Sequence, residues 1–317
     1  MHIAIWLIIF VVSLIVLVKS ADLFTDLSAK LGLALGLSSF VIGVTIVALG
    51  TSLPELITSL VAVIRDNPVA EFTANNVIGS NIANALLVIG LAAIAVGTLK
   101  VKKELIDVDL PFFFISTALF VLFILDGTFT RTEGIVSLLL FFFFLFYTAT
   151  QRTRVKNGES VEKIEKALGE EPAKPSRKKE KITVWLLMGV VASVVGIFLG
   201  AKYFVDSVLT ISTLLGWSSN MLTLSAVALG TSLPEVVTSV IAARRGEHGI
   251  AIGNAFGSNI FNALFIMGIP SLFTKLTVAP EAFTIGIPFL IVSTFAVIFV
   301  TFDNKVRFWE GGAMLLV

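Results

Sequence analysis

The chain has 317 residues, 56% of them hydrophobic and 14% charged, with a net charge of +1 and no cysteine. Soluble domains carry nearer a quarter charged residues, so lipid is the expected solvent for most of the surface. Disulfides, thiolate metal sites and cysteine nucleophiles are excluded together. His2 and His248 fall near a terminus and in a short loop, which removes a histidine metal cluster, and no basic arm or aromatic-basic patch points to nucleic acid.

A spanning helix needs about 20 mostly apolar residues. Such stretches run over 3–28, 39–63, 74–98, 105–125 and 134–150. The first lacks the basic n-region and small-residue cleavage site of a signal peptide, and it continues into the polar stretch from Ser20 to Lys30. It therefore reads as a retained first span. A polar segment over 151–181 follows, with Pro172, Pro175 and basic residues from Arg152 to Lys181. Apolar runs resume at 183–208, 218–243, 250–272 and 280–302. The last, from about Arg307, stops at Val317 and is too short to cross alone; either the chain is cut within a tenth helix or that helix ends early.

With 151–181 in the cytoplasm, the other cytoplasmic connections hold Lys100, Lys102, Lys103, Arg244, Arg245, Lys305 and Arg307. The opposite side keeps little beyond Arg65, Arg131 and Lys275. By the positive-inside rule, the N-terminus lies outside and the central loop in the cytoplasm, as in a multi-pass protein of the cell (plasma) membrane.

An internal duplication organises the chain. Leu49-Gly-Thr-Ser-Leu-Pro-Glu55 recurs as Leu229-Gly-Thr-Ser-Leu-Pro-Glu235, and Gly79-Ser-Asn-Ile-Ala-Asn84 recurs as Gly257-Ser-Asn-Ile-Phe-Asn262. Weaker echoes pair Phe24 with Phe204, Arg65 with Arg245 and Glu133-Gly134 with Glu310-Gly311. The expected fold is an all-α polytopic membrane protein with ten transmembrane helices. Its units are a first half over 1–150, a cytoplasmic linker over 151–181 and a second half over 182–317. Five spans per half is an odd number, so the halves form inverted-topology five-helix repeats, a transporter architecture with its site at the midplane.

The repeated motifs carry the chemistry. Glu55 and Glu235 lie near the middle of apolar segments, where an ionised carboxylate costs roughly 2.5–3.5 kcal/mol by insertion scales. No Lys or Arg lies within two turns on either helix, so bound cations or protons are the remaining partners. Thr51 and Thr231 stand four residues before each Glu and share its helix face. Asn76, Ser80 and Asn84 form an i, i+4, i+8 stripe, repeated by Asn254, Ser258 and Asn262. Such stripes also serve as glue between close-packed helices, and both roles can coexist. Pro54 and Pro234 lack the N–H that would bond the carbonyls of Gly50 and Gly230. The break frees carbonyls near Ala48–Gly50 and Ala228–Gly230 for coordination. Carboxylate, hydroxyl, amide and carbonyl oxygens form a hard set suited to calcium or sodium, and the motifs offer no soft ligand.

These residues resemble the calcium/cation antiporter superfamily, specifically its prokaryotic sodium/calcium exchangers. The resemblance rests on Gly50-Thr-Ser-Leu-Pro-Glu55 with Asn76-Val-Ile-Gly-Ser-Asn-Ile-Ala-Asn84, and Gly230-Thr-Ser-Leu-Pro-Glu235 with Asn254-Ala-Phe-Gly-Ser-Asn-Ile-Phe-Asn262, and it covers nearly the whole chain. It implies a membrane antiporter that is not an enzyme, needs no cofactor, carries Na⁺ and Ca²⁺ and works as a monomer. By resemblance, Glu55, Glu235, Thr51 and Thr231 hold Ca²⁺. Ser52, Ser80, Ser232 and Ser258 serve flanking Na⁺ sites with Glu55, Glu235 and the carbonyls of Ala48 and Ala228. Asn84 and Asn262 line the centre. Potassium-dependent members carry Asp where Asn262 stands, so potassium co-transport is not expected.

A proton-coupled exchanger is the alternative in the same class, with Glu55 and Glu235 titrating; the missing Gly-Asn-x-x-Glu signature at Gly253–Gly257 favours sodium. A channel fits inverted repeats with kinked helices less well, and an intramembrane enzyme lacks a nucleophile beside the glutamates. The first helix of each half bears charge only towards one end, at Lys19, Asp22 and Asp26 or at Lys202 and Asp206. Apolar faces of this kind can slide against a core as a gate.

Overall fold

A computed structural model describes residues 2–35, 37, 39–64, 70–101, 110–158, 182–214 and 232–317. The apolar runs form helices because lipid offers the backbone no hydrogen-bond partner, so each segment must satisfy its own N–H and C=O groups. α1 covers His2–Ala34. α2 (Ser39–Ile42), a π-helical turn (Gly43–Val47), α3 (Ala48–Thr51) and α4 (Leu53–Ile64) form one path with a 45° bend. α5 (Ala70–Ala83) passes through a π turn at Asn84–Val88 into α6 (Ile89–Val96). β1 (Thr98–Lys100), α7 (Leu110–Ile124), β2 (Thr128–Phe129) and α8 (Arg131–Gly158) follow. α9 is Val184–Leu214 and α10 is Leu233–Arg244. α11 (His248–Phe261) continues through a π turn at Asn262–Ile266 into α12 (Met267–Ser271). β3 (Leu276–Thr277), a π turn (Ala282–Gly286), α13 (Ile287–Thr301), β4 (Lys305–Arg307) and α14 (Phe308–Met314) end the chain.

Among the described residues six helices are long and apolar enough to cross a membrane, or seven if the bent path counts as one. The protein is a mostly helical, multi-pass membrane protein. Of the ten expected spans, 218–243 is described only from Ser232 onward, and 105–125 appears as the 15-residue α7. The tenth is the 7-residue α14. α8 runs eight residues past the expected span end at 150, through Arg152, Arg154 and Lys156, residue types that favour a helix.

Burial separates an inner from an outer layer. The most apolar window of His248–Ser271 is 94% buried, whereas that of α1 is only 22% buried. Ile8 on α1, Leu139 and Phe146 on α8, Trp185 on α9 and Phe299 on α13 point outward. Such an apolar outer face is what lipid requires and water would penalise.

α1 and α9 pack along each other in opposite directions. Phe10 meets Phe204 at a ring separation of 4.9 Å, Leu17 meets Gly200, Ser20 meets Gly196 and Leu27 meets Gly189. Other contacts come in mirrored pairs. β1 pairs antiparallel with β4 (Leu99 opposite Val306) and β2 with β3 (Phe129 opposite Leu276). Gly90 packs on Gly311, and its counterpart Gly268 packs on Gly134. Glu133 accepts the N–H of Thr130 at 2.6 Å, and Glu310 accepts that of Arg307 at the same distance.

Candidate functional site

In the first half the helix breaks two residues before the motif's proline, which cannot donate to the N–H ladder. Ser52 at that break adopts φ −91°, ψ 6°, and its counterpart Ser232 adopts nearly the same backbone, φ −85°, ψ 0°. A helix begins directly after each serine, and Glu55 and Glu235 occupy its first turn. Unpaired N–H groups and the positive end of the helix dipole favour a carboxylate there. Both side chains are 1% exposed.

Glycine brings the remaining elements together. A Cβ on Gly257 would lie 2.5 Å from the carbonyl oxygen of Val44 and 2.7 Å from Cβ of Ala48. A Cβ on Gly43 would lie 2.5 Å from the carbonyl oxygen of Ile250. α11 therefore lies backbone-to-backbone against the stretch leading to the first break, and short side chains can meet across the halves. The Ser52 hydroxyl donates to Oε1 of Glu235 at 2.8 Å, and Oγ of Ser258 is 3.0 Å from Oγ of Ser52. Thr51 Oγ1 is 3.1 Å from Oδ1 of Asn254. The Asn254 amide donates to Ser239 Oγ at 2.9 Å and to the Glu235 carbonyl at 3.3 Å.

These bonds leave a residue of polar atoms that the protein does not satisfy. Oε2 of Glu55, Oε2 of Glu235, both amide atoms of Asn84, Oδ1 of Asn262, Nδ2 of Asn76 and Oγ of Ser232 are buried without a hydrogen-bond partner. Each unpaired buried group costs about 1–3 kcal/mol, so carboxylate and amide atoms left in this state call for a further partner. Among the described residues no group of three or more His, Cys, Asp or Glu gathers. Their ion pairs lie at the ends of helices, among Asp22, Asp26, Lys30 and Arg245 and among Asp303, Arg307 and Glu310. The formal charge here is carried by the two glutamates, and the polar side chains around them are neutral.

Of the sequence-derived residues, Thr51, Ser52, Glu235, Asn254 and Ser258 are joined by the bonds above. Ala48, Gly50, Pro54, Pro234, Glu55, Ser80, Asn84, Ser232 and Asn262 are buried, and Asn76 is half-buried. The Ala48 carbonyl accepts the N–H of Ser52 at 3.0 Å and lies 3.4 Å from the Thr51 hydroxyl, so it is already engaged in this conformation. Ala228, Gly230 and Thr231 lie outside the described residues. The sequence reading missed Ser239, which follows Glu235 by one helical turn, and the pair Asn81 and Asn259. All three repeat between the halves, Ser239 answering Ser59, and the repeat was the signal available for finding them.

Comparison with known proteins places this architecture. The family model described as sodium/calcium exchanger protein matches residues 5–150 and 185–317. The sodium/calcium exchanger MaX1 of Methanosarcina acetivorans is 31% identical over 97% of this chain and 95% of its own length. The membrane protein MJ0091 of Methanocaldococcus jannaschii is 32% identical over 95% of this chain and 92% of its own. The solved structure of the sodium-calcium exchanger NCX_Mj superposes with a TM-score of 0.78 at 30% identity, covering 99% of this chain and 96% of that one.

Proposed function

The chain belongs to the sodium/calcium exchanger protein family, and from that premise we propose that it is a secondary antiporter exchanging Na⁺ for Ca²⁺ by alternating access. The observation that carries the reading is the pair Glu55 and Glu235, both buried, each with one carboxylate oxygen unpartnered among neutral hard oxygens. Two carboxylates balance one Ca²⁺, or part of a cluster of Na⁺, and the same oxygens suit both ions. Neither ion leaves the site without another to replace its charge, because two bare carboxylates at membrane depth are costly. That mutual exclusion is the physical basis of exchange.

The ligand roles follow from position. Glu55, Glu235, Thr51 and Thr231 hold Ca²⁺; Ser52, Ser80, Ser232 and Ser258 join the glutamates and the Ala48 and Ala228 carbonyls around Na⁺; Asn76, Asn84, Asn254 and Asn262 line the space between. The halves form two five-helix repeats of opposite orientation, ten spans in all. The antiparallel run of α1 against α9 and the mirrored contacts of Gly90 with Gly311 and Gly134 with Gly268 support this reading. The N-terminus lies outside and the linker in the cytoplasm. The β1–β4 ribbon supports that orientation, since it joins Lys100 to Lys305 and Arg307 on one side. α1 and α9 slide as the gate, and one chain suffices for transport.

The test is ⁴⁵Ca²⁺ uptake into Na⁺-loaded proteoliposomes diluted into Na⁺-free medium, with Glu55→Gln and Glu235→Gln variants and a pH-gradient control. Uptake that needs the Na⁺ gradient and vanishes in both variants is the expected result. Uptake driven by the pH gradient alone would move the protein to the proton-coupled exchangers.

A further inference from the structure

Asn81 on α5 and Asn259 on α11 hold each other in a reciprocal grip. The Asn81 side-chain amide donates to the Asn259 carbonyl at 3.3 Å, and the Asn259 amide donates to the Asn81 carbonyl at 3.2 Å. Both residues are at most 1% exposed. Each amide faces a carbonyl, which can only accept, so the nitrogen must be the atom that turns towards it. Each bond runs from the side chain of one half to the main chain of the other, so the pair leaves little freedom to slide.

Two features point to a purpose beyond packing. Oδ1 of Asn81 and Oδ1 of Asn259 are both buried without a partner. Half-satisfied polar pairs are poor sources of net stability, and apolar side chains of equal size often serve the core better. The pair also lies within the candidate ion ligands. Asn81 follows Ser80 and precedes Asn84 by three residues, and Asn259 stands in the same place between Ser258 and Asn262. Asn84 and Asn262 in turn open the two matching π turns, where the helix is widened and its geometry is set by contacts.

We infer that Asn81 and Asn259 are positioning residues for cation binding: their reciprocal bonds fix the crossing of α5 and α11, and with it the separation of Ser80 and Asn84 from Ser258 and Asn262. The inference rests on the exchanger reading of the site. Ligand distances for Ca²⁺ fall in a window of only about 2.3–2.6 Å, so a small drift in the crossing is felt directly as lost affinity. Neither side chain needs to touch the ion.

The test compares wild-type protein with Asn81→Leu, Asn259→Leu and the double variant, which keep the branched shape and remove the donors. KM for Ca²⁺ and maximal rate per folded protein are read from Na⁺-driven uptake, and unfolding midpoints are measured in detergent without ions. Each single variant is expected to raise KM about tenfold, the size of effect one lost buried hydrogen bond produces. The double variant is expected to lie close to the singles, because either loss releases the same crossing. Unfolding midpoints should stay level or rise. Wild-type KM in both single variants, with stability lowered, would reduce the pair to a structural contact and overturn the inference.

If the leucine variants do not fold, Asn81→Ser decides, since it stays neutral and polar while its shorter side chain cannot reach the Asn259 carbonyl. Its KM for Ca²⁺ should rise as in the leucine variants. A wild-type KM in folded Asn81→Ser protein would overturn the inference. Absence of Na⁺-driven uptake in wild-type protein would instead sink the exchanger reading itself.

Discussion

Ser52, at the break in the first half, donates its hydroxyl to Oε1 of Glu235 in the second half across 2.8 Å. The bond joins the two motifs that the duplication created, and it ties the turn of one to the carboxylate of the other. Ser258 adds a third member, 3.0 Å from the same hydroxyl. Ser232, the counterpart of Ser52, has a buried hydroxyl with no hydrogen-bond partner. The halves thus present equivalent hydroxyls in unequal states of use.

That inequality separates stability from binding. Ser52→Ala removes a charge-assisted bond and is expected to destabilise the ion-free protein by about 1–3 kcal/mol. Ser232→Ala removes no bond and should leave stability within about 0.5 kcal/mol of wild type. Both should weaken Na⁺, because both hydroxyls belong to the proposed Na⁺ shells. Unfolding midpoints in detergent and the Na⁺ dependence of uptake check the two halves of the prediction. Equal loss of stability in the two variants would refute the asymmetry.

The glycine contacts predict a sharp contrast within one residue type. Gly257→Ala places a methyl 2.5 Å from the Val44 carbonyl oxygen, against backbone that has no room to yield. Overpacking of this kind costs about 1–3 kcal/mol, and here it also pushes Ser258 away from Ser52. Gly312→Ala meets nothing within 4 Å and sits on a helix, so it should be neutral or slightly stabilising. Midpoints of thermal unfolding for the two variants should fall on opposite sides of wild type or at least far apart.

The duplication made Glu55, Glu235 and the serines beside them legible, because a polar motif repeated inside two apolar helices has few explanations other than a site. A stripe at i, i+4, i+8 marks Asn76, Ser80 and Asn84 but not Asn81, which lies about 100° around the helix. That Asn81 faces the Asn259 carbonyl is fixed only by how α5 and α11 cross. The π turns at Asn84 and Asn262 were illegible for a related reason: no proline or glycine marks them, and packing sets them. The ribbon of β1 with β4 pairs three residues with three others about 200 positions away, too short a pattern to read locally.

Asp126 supplies a prediction in pH. It lies in the turn between α7 and β2, where its carboxylate accepts the Thr128 N–H at 2.9 Å and the Thr128 hydroxyl at 3.0 Å. Those bonds, aided by nearby Lys275, hold it below the usual aspartate value. A carboxyl depressed in the folded state lends stability above its unfolded value and loses it as pH falls through the folded one. Asp126→Asn keeps an acceptor and removes the charge. The variant should be less stable than wild type at neutral pH, and the gap should close on acidification through and below about pH 3.9, the ordinary aspartate value. A gap of constant size across the series would show that the charge has no part in the turn.

The end of α1 bears on the gate. Arg245, just past α10, pairs with Asp22 at 2.5 Å and with Asp26 at 3.5 Å, and Asp26 also holds Lys30 at 2.7 Å. These side chains are a third or more exposed, and pairs of that kind contribute about 0–1 kcal/mol. Between the two aspartates, the buried Phe24 ring lies on Gly50. A helix held by a weak, screened cluster and a greased face can shift without breaking a strong bond. The chain has no cysteine, so cysteines placed at Asp22 and Arg245 would be its only thiols. Bridging them with a bifunctional thiol reagent should stop Na⁺-driven Ca²⁺ uptake while leaving ⁴⁵Ca²⁺ binding in detergent intact. The unbridged double variant, lacking only the ion pairs, should still transport. Full-rate exchange in the bridged protein would mean that α1 stays fixed and that the gate lies elsewhere.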